Sequence, residues 1–162
     1  TLWKTMNIRT ATEHDIDSIA QIYSKCFVNE RDHLVWITSS FNSFPRGVYY
    51  VVEQQGVIAG YILWCVKNGF REATIIELEQ IAVDPQSSGT GLGRSLITDS
   101  FEKFKRHVED TGHKVGAVMV TTTEGHYAEN LYISTLNVSR AAILCGYASG
   151  NEVILYNNSI EA

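Results

Sequence analysis

The chain has 162 residues, 44% of them hydrophobic and 19% charged, with a formal net charge of −5. That length carries one domain with a sizeable core, and the balance is that of an ordinary globular protein. The charge argues against a general nucleic-acid or anionic-membrane surface, and no apolar run approaches the length of a membrane span.

The opening TLWKTMNIRT lacks the apolar core of a signal peptide, so no leader is expected. Cys26, Cys65 and Cys145 are odd in number, scattered and set in apolar contexts. They read as buried thiols in a reducing compartment, the cytoplasm, with no spacing for a zinc site.

In chain order, Met6 to Thr10 is a short strand. Thr12 then offers an N-cap with an acid three residues on, and Ile16, Ile19, Ala20, Ile22, Tyr23 and Phe27 recur at helical spacing. A second helical stretch, Arg31 to Phe41, carries Leu34, Val35 and Trp36 and is ended by Phe44-Pro45-Arg46-Gly47. Val48 to Glu53 and Val57 to Lys67 are strands joined by the hairpin signal Gln54-Gln55-Gly56. Ile75 to Val83, rich in β-branched residues, is stopped by Asp84-Pro85.

A helix starts near Gly91, places Leu92, Leu96, Ile97, Phe101, Phe104 and Val108 on one face, and closes at Thr111-Gly112-His113. Lys114 to Thr122 is a further strand, and a strand–helix–strand step of this length implies a parallel pair. Glu124 to Cys145 reads as mostly helical, with a hairpin-like pair around Gly146-Tyr147 and Val153 to Tyr156 ending the chain.

Between the strand at 75–83 and the helix after it, Gly89, Gly91 and Gly93 alternate with Thr90 and Leu92. Glycine admits positive φ and close approach of the backbone. The helix start that follows brings unpaired N–H groups and a positive dipole end, so loop and helix together suit a phosphate. A P-loop would need Lys-Ser or Lys-Thr after its last glycine, where Arg94-Ser95 stands. The dinucleotide fingerprint needs G-x-G-x-x-G, and here the glycines run G-x-G-x-G.

The stretch VDPQSSGTGLGRSL at 83–96 resembles motif A of the GNAT superfamily of N-acetyltransferases, V-x-P-x-x-(R/Q)-G-x-G-x-G-x-x-L. Pro85, the three glycines and Leu96 match; Ser88 stands where the family prefers Arg or Gln. The resemblance implies a mixed α/β sheet protein with the GNAT-like acyl-CoA N-acyltransferase fold, one domain over 1–162. It also implies acetyl-CoA as cosubstrate, a primary amine on a small molecule or peptide as acceptor, no metal, and room for a homodimer.

By that resemblance the cofactor's pyrophosphate falls to the loop Ser88, Gly89, Thr90, Gly91, Leu92 and Gly93; Arg94, in the first helical turn, reads either as a phosphate contact that partly replaces the missing Arg at 88 or as a solvated helix residue. The pantetheine arm falls to the backbone of Ile81, Ala82 and Val83, an N–H near Ile81 polarising the thioester carbonyl.

Glu77 and Glu79 interrupt an alternating face that also holds Ile75, Ile81 and Val83. Such breaks are often functional, the alternative being a solvated end of the strand. A glutamate on this strand is the family's usual base, and both positions stay open.

For the acid, Ala128-Glu129-Asn130-Leu131-Tyr132 matches the family's A-x-x-L-Y and points to Tyr132. The competing register on Gly146-Tyr147 puts Ala142 at that position and leaves no acid. His126 reads as a base or acceptor contact or as a plain loop residue, and Trp36 as an acceptor wall or plain core. The reading beside an N-acetyltransferase is a non-catalytic GNAT-fold module that binds acyl-CoA or another protein.

Overall fold

The computed structural model describes residues 6–148 and 150–160. Its strands are β1 (Met6–Thr10), β2 (Gly47–Gln54), β3 (Val57–Lys67), β4 (Ala73–Val83), β5 (Lys114–Thr123), β6 (Ser139–Tyr147) and β7 (Gly150–Asn157). The helices are α1 (Ile16–Cys26), α2 (His33–Phe41), α3 (Leu92–Asp110) and α4 (Ala128–Leu136). The strands form one sheet in the order β1-β2-β3-β4-β5-β7-β6. The chain divides into two compact units: residues up to Trp64 with Gln80–Glu102, and Cys65–Glu79 with Lys103 onward.

In the first unit β1 pairs antiparallel with β2, Met6 facing Gln54 and Thr10 facing Tyr50. The β2–β3 turn is made by Gln55 and Gly56, both at positive φ (53° and 77°), the backbone of a tight hairpin. The expected cap before α1 is present: the Asp15 carboxylate accepts the Thr12 N–H at 2.7 Å. The same carboxylate takes Arg9 bidentately at 2.8 and 2.9 Å, and Arg9 also reaches Glu53 at 2.7 Å. Arg9 thereby ties β1, β2 and the start of α1 together, and it holds the Asp15 carboxyl below its ordinary range.

Ile19, Ile22 and Tyr23 bury one stripe of α1, while Tyr61 to Trp64 of β3 and Leu96 and Ile97 of α3 are all fully buried. The Trp64 indole N–H finds a partner in the buried Ser100 hydroxyl at 2.8 Å. Gly60 has no room for a side chain: a Cβ there would stand 3.0 Å from the Ala82 carbonyl oxygen and 3.2 Å from Val52 Cγ1.

In the second unit β4 and β5 are parallel, as the strand–helix–strand step predicts, with Ala73–Leu78 alongside Lys114–Val120. Gly116 fits where the register shifts, since a Cβ there would meet Ala73 Cβ at 3.0 Å. β7 pairs antiparallel with β5 on one side and β6 on the other.

The expectation of helix across 124–145 is corrected: α4 covers only Ala128–Leu136, and Ser139–Tyr147 is the edge strand β6. Asn137, at φ 53°, ends the helix with its N–H on the Ile133 carbonyl. Pairing with β7 then overrides the helical leaning of Ala141, Ala142 and Leu144. The terminal hairpin is therefore longer than the sequence suggests.

The cysteines are corrected as well. All three are free, but Cys26 and Cys145 are exposed and Cys65 is half-buried. Among the described residues no helix is long and apolar enough to cross a membrane, which leaves β-barrels untouched.

Candidate active site

In the first unit β4 ends in a built turn. Asp84 Oδ1 accepts the Gln86 N–H at 3.0 Å, and Oδ2 lies 3.0 Å from Lys25 Nζ. Both contacts, the backbone one first, hold the Asp84 carboxyl below its ordinary range. Cys26 Sγ donates to the Val83 carbonyl at 3.4 Å, so the end of α1 is fastened to the end of β4 at two points.

Beyond this turn Thr90 Oγ1 donates to the Ser87 carbonyl at 2.6 Å and Ser88 Oγ to the Pro85 carbonyl at 3.0 Å. The loop is thus braced by its own hydroxyls. Ser88 spends its side chain on this bracing, where an Arg or Gln would project.

Gly89 and Gly91 sit at φ 75° and 82°, with nothing within 4 Å of where a Cβ would stand. Gly93 is different: it lies inside α3, so its small size is not used for a turn. The first N–H of this stretch paired to backbone is that of Ser95, on the Gly91 carbonyl at 3.1 Å.

Among the described residues, no backbone or side-chain acceptor takes the N–H groups of Gly89, Thr90, Gly91, Leu92 or Gly93. Five successive donors at the positive end of a 19-residue helix form a concentrated anion cradle. Arg94, exposed in the first helical turn, adds a cation beside it.

The residues before the turn are held from the side. Tyr61, fully buried, donates its hydroxyl to Gln80 Oε1 at 2.6 Å. Tyr23 donates to Glu30 Oε1 at 2.6 Å. Burial, with Glu30 adding to it, pushes the Tyr23 phenol up to about 12, so it stays a donor at neutral pH. Trp36 is half-buried against the Tyr23 ring at 5.4 Å, which makes it a support for that ring.

In the second unit β4 keeps the expected alternation: Thr74, Ile76 and Leu78 are buried, Glu77 is half-buried and Glu79 exposed. Each acid has a partner on β3. Glu77 Oε2 lies 3.0 Å from Lys67 Nζ, and Glu79 Oε2 accepts the Cys65 thiol at 2.8 Å. Among the described residues the two carboxylates therefore differ, one ion-paired and one accepting a weak neutral donor.

Tyr132, on α4, is buried, and burial first among its causes pushes its phenol up to about 12. It holds its proton across the physiological range. α4 is clipped at its start by Arg140, whose Nε and Nη2 bind Glu129 at 2.6 and 2.8 Å and whose Nη1 reaches Glu124 at 3.3 Å.

His126 is exposed, and its Nδ1 accepts the Ala128 N–H at 3.1 Å. Its ring stacks on Tyr127, a capping role for α4. Among the described residues no group of three His, Cys, Asp or Glu side chains is placed to hold a metal ion.

The Tyr61–Gln80 and Tyr23–Glu30 bonds escaped sequence reasoning, as did the Lys67 and Cys65 partners of the two acids. Each joins residues from different elements with no local pattern to announce it.

A mixed sheet in which one strand of a parallel pair runs through a braced turn into five free donors and a long helix defines an α/β protein with a donor-rich loop at a helix start. The chain belongs to the acetyltransferase (GNAT) family, whose model matches residues 16–137.

It is 26% identical over 116 residues to an uncharacterised N-acetyltransferase of Methanocaldococcus jannaschii, covering 65% of this chain and 50% of that protein. The chain thus spans about half the length of this curated relative. Among solved structures, Ard1 from Thermoplasma volcanium superposes with a TM-score of 0.75 at 17% identity, covering 97% of this chain and 99% of that one. The ribosomal-protein-S18-alanine N-acetyltransferase of Escherichia coli gives 0.74 at 21%, covering 97% and 96%. A Salmonella typhimurium acetyltransferase with acetyl-CoA as its cofactor gives 0.71 at 20%, covering 98% and 96%. These likenesses fix the fold.

Proposed function

We propose that this chain binds acetyl-CoA and transfers its acetyl group to a primary amine, residues 1–162 acting as one N-acetyltransferase domain. The observation that carries the reading is the run of five free N–H groups, Gly89 to Gly93, with open space over Gly89 and Gly91. A pyrophosphate matches such a cradle in charge and in its need for several donors, so the residues present fit the cofactor.

Bound acetyl-CoA supplies a thioester: the acceptor nitrogen bonds to its carbonyl carbon, the carbon–sulfur bond breaks, and an amide and free coenzyme A result. In this chain Ser88 to Arg94 hold the pyrophosphate, chiefly through backbone. Ile81, Ala82 and Val83 offer backbone groups to the pantetheine arm, the Ile81 N–H meeting the carbonyl oxygen where negative charge develops.

An amine with a pKa near ~10.4 must lose a proton to attack. Glu79, with only a thiol on it, takes that role directly or through water, and Glu77, paired to Lys67, is the second choice. Tyr132, protonated at neutral pH, gives a proton to the departing thiolate and regains one from solvent. The free thiols suit a reducing compartment, the cytoplasm.

The test is turnover with acetyl-CoA and a panel of primary amines, read as release of the coenzyme A thiol. Glu79→Gln and Tyr132→Phe should each lower kcat while leaving acetyl-CoA affinity unchanged. Full activity in both variants would remove these assignments.

A further inference from the structure

β6 ends the sheet: it pairs with β7 on one side, and among the described residues no strand pairs with its outer edge. Every residue from Ser139 to Tyr147 is exposed. Successive side chains of a strand point to opposite faces. Ile143 and Leu144, 42% and 44% exposed, therefore show that neither face of β6 is well covered. One strand further in, Val153 and Leu155 of β7 are fully buried. An antiparallel sheet ordinarily packs one face on the core and leaves the other to water. β6 does neither, so ordering it gains little burial against its lost chain entropy.

The strand also lacks the usual protection of an edge, which is lysine, proline or an inward charge. β6 holds no lysine, proline or acid. Its one charge, Arg140, is taken up by Glu129 at 2.6 and 2.8 Å and by Glu124 at 3.3 Å. Two breaks in register, after Arg140 and after Leu144, do interrupt the edge. They confine regular strand pairing to Ala142–Leu144 and stand on either side of Ile143.

We propose that β6 is the interface of a homodimer, two copies pairing antiparallel about a two-fold axis through Ile143. A second copy is the occupant because the strand is complementary to itself. The axis sets Ala142 opposite Leu144 and Arg140 opposite Gly146, a small residue against a large one each time. It brings the register breaks of one copy alongside those of the other. It holds the two Arg140 residues about 20 Å apart along the strands, so like charges do not meet. The edge and both faces of a strand about 30 Å long amount to roughly 600 Å² per copy. Stable interfaces begin at about that area per partner, so the dimer is reversible, with a Kd of about 1–10 µM. None of this depends on the acetyl-transfer reading.

The test is sedimentation equilibrium of the full chain, reduced, from about 1 to about 100 µM, beside Ile143→Lys and Ile143→Cys. The wild type should pass from monomer to dimer over this range. Ile143→Lys sets two ammonium groups against each other on the axis and should raise Kd about 100-fold or more, with the melting temperature of the dilute protein unchanged. Ile143→Cys, oxidised, should form a disulfide-linked dimer through residue 143. Facing residues of an antiparallel pair stand about 4.5–5.5 Å apart at Cα, within disulfide reach. Cys145 faces Ala141 across the same axis, so the wild type oxidised alike should form no Cys145–Cys145 bridge.

A wild type that stays monomeric at about 100 µM overturns the proposal. A dimer that Ile143→Lys leaves intact overturns it too, as does a Cys145–Cys145 bridge in the wild type. If Ile143→Lys melts early, the bridge through residue 143 decides alone: its presence supports the axis and its absence overturns it.

Discussion

Replacing Asp15 by alanine removes one carboxylate and four contacts: two to Arg9, at 2.8 and 2.9 Å, the Thr12 N–H at 2.7 Å and the Thr12 hydroxyl at 3.3 Å. The Asp15 side chain is 8% exposed and the Arg9 side chain 31%. Breaking a fully buried pair costs roughly 3–5 kcal/mol. Here Arg9 is partly solvated and keeps Glu53 at 2.7 Å, so the charge left behind is neither buried nor alone. The lost charged hydrogen bonds and cap then amount to about 2–3 kcal/mol. For a chain of this size that is a fall in Tm of roughly 4–12 °C.

Urea denaturation of the wild type, Asp15→Ala and Asp15→Asn at neutral pH measures it. The pH dependence has a definite sign. Arg9 holds the Asp15 carboxyl below its ordinary 3.8, so its contribution is complete above the unfolded value and disappears as pH falls through the folded one. The gap between wild type and Asp15→Ala should be constant from about pH 7 to 5 and shrink below about pH 4. A gap under about 0.5 kcal/mol at neutral pH, or one unchanged in acid, would refute the reasoning.

Three further outcomes follow from other parts of the structure. Gly60→Ala puts a Cβ 3.0 Å from a backbone carbonyl oxygen that cannot swing aside, and should cost about 1–3 kcal/mol in the same denaturation assay. Gly91→Ala meets φ 82° and Gly56→Ala meets φ 77°, so both should lose roughly 1–2 kcal/mol of stability, but only Gly91→Ala should weaken acetyl-CoA binding by calorimetry. Glu79→Gln should lower kcat by about 10²-fold, and Glu77→Gln by less because Glu77 is engaged with Lys67; the reverse ranking in a thiol-release assay would exchange their roles.

Local chemistry was the legible part of the sequence. The Gln55-Gly56 hairpin, the Thr12–Asp15 cap and the Pro85-to-Gly91 turn each depend on residues within a few positions of one another, and each is present. Alternation along β4 placed both acids on the open face for the same reason.

β6 was hidden because Ala141, Ala142 and Leu144 favour helix, and only pairing with a strand later in the chain settles them. The cysteines look buried because their neighbours are apolar, yet Cys145 lies on an edge strand exposed along its whole length. The links from Cys65 to Glu79, from Tyr23 to Glu30 and from Tyr61 to Gln80 depend on which elements are adjacent. Composition and spacing carry no record of that.

Calorimetric titration of the wild-type chain with acetyl-CoA, beside 3′-dephospho-coenzyme A, tests the central claim most directly. The five free N–H groups of the glycine loop predict binding in the micromolar range, about −8 kcal/mol, that largely survives loss of the 3′-phosphate because the cradle holds the pyrophosphate. No heat and no competition at about millimolar ligand would contradict it and leave a GNAT-family fold without its cofactor.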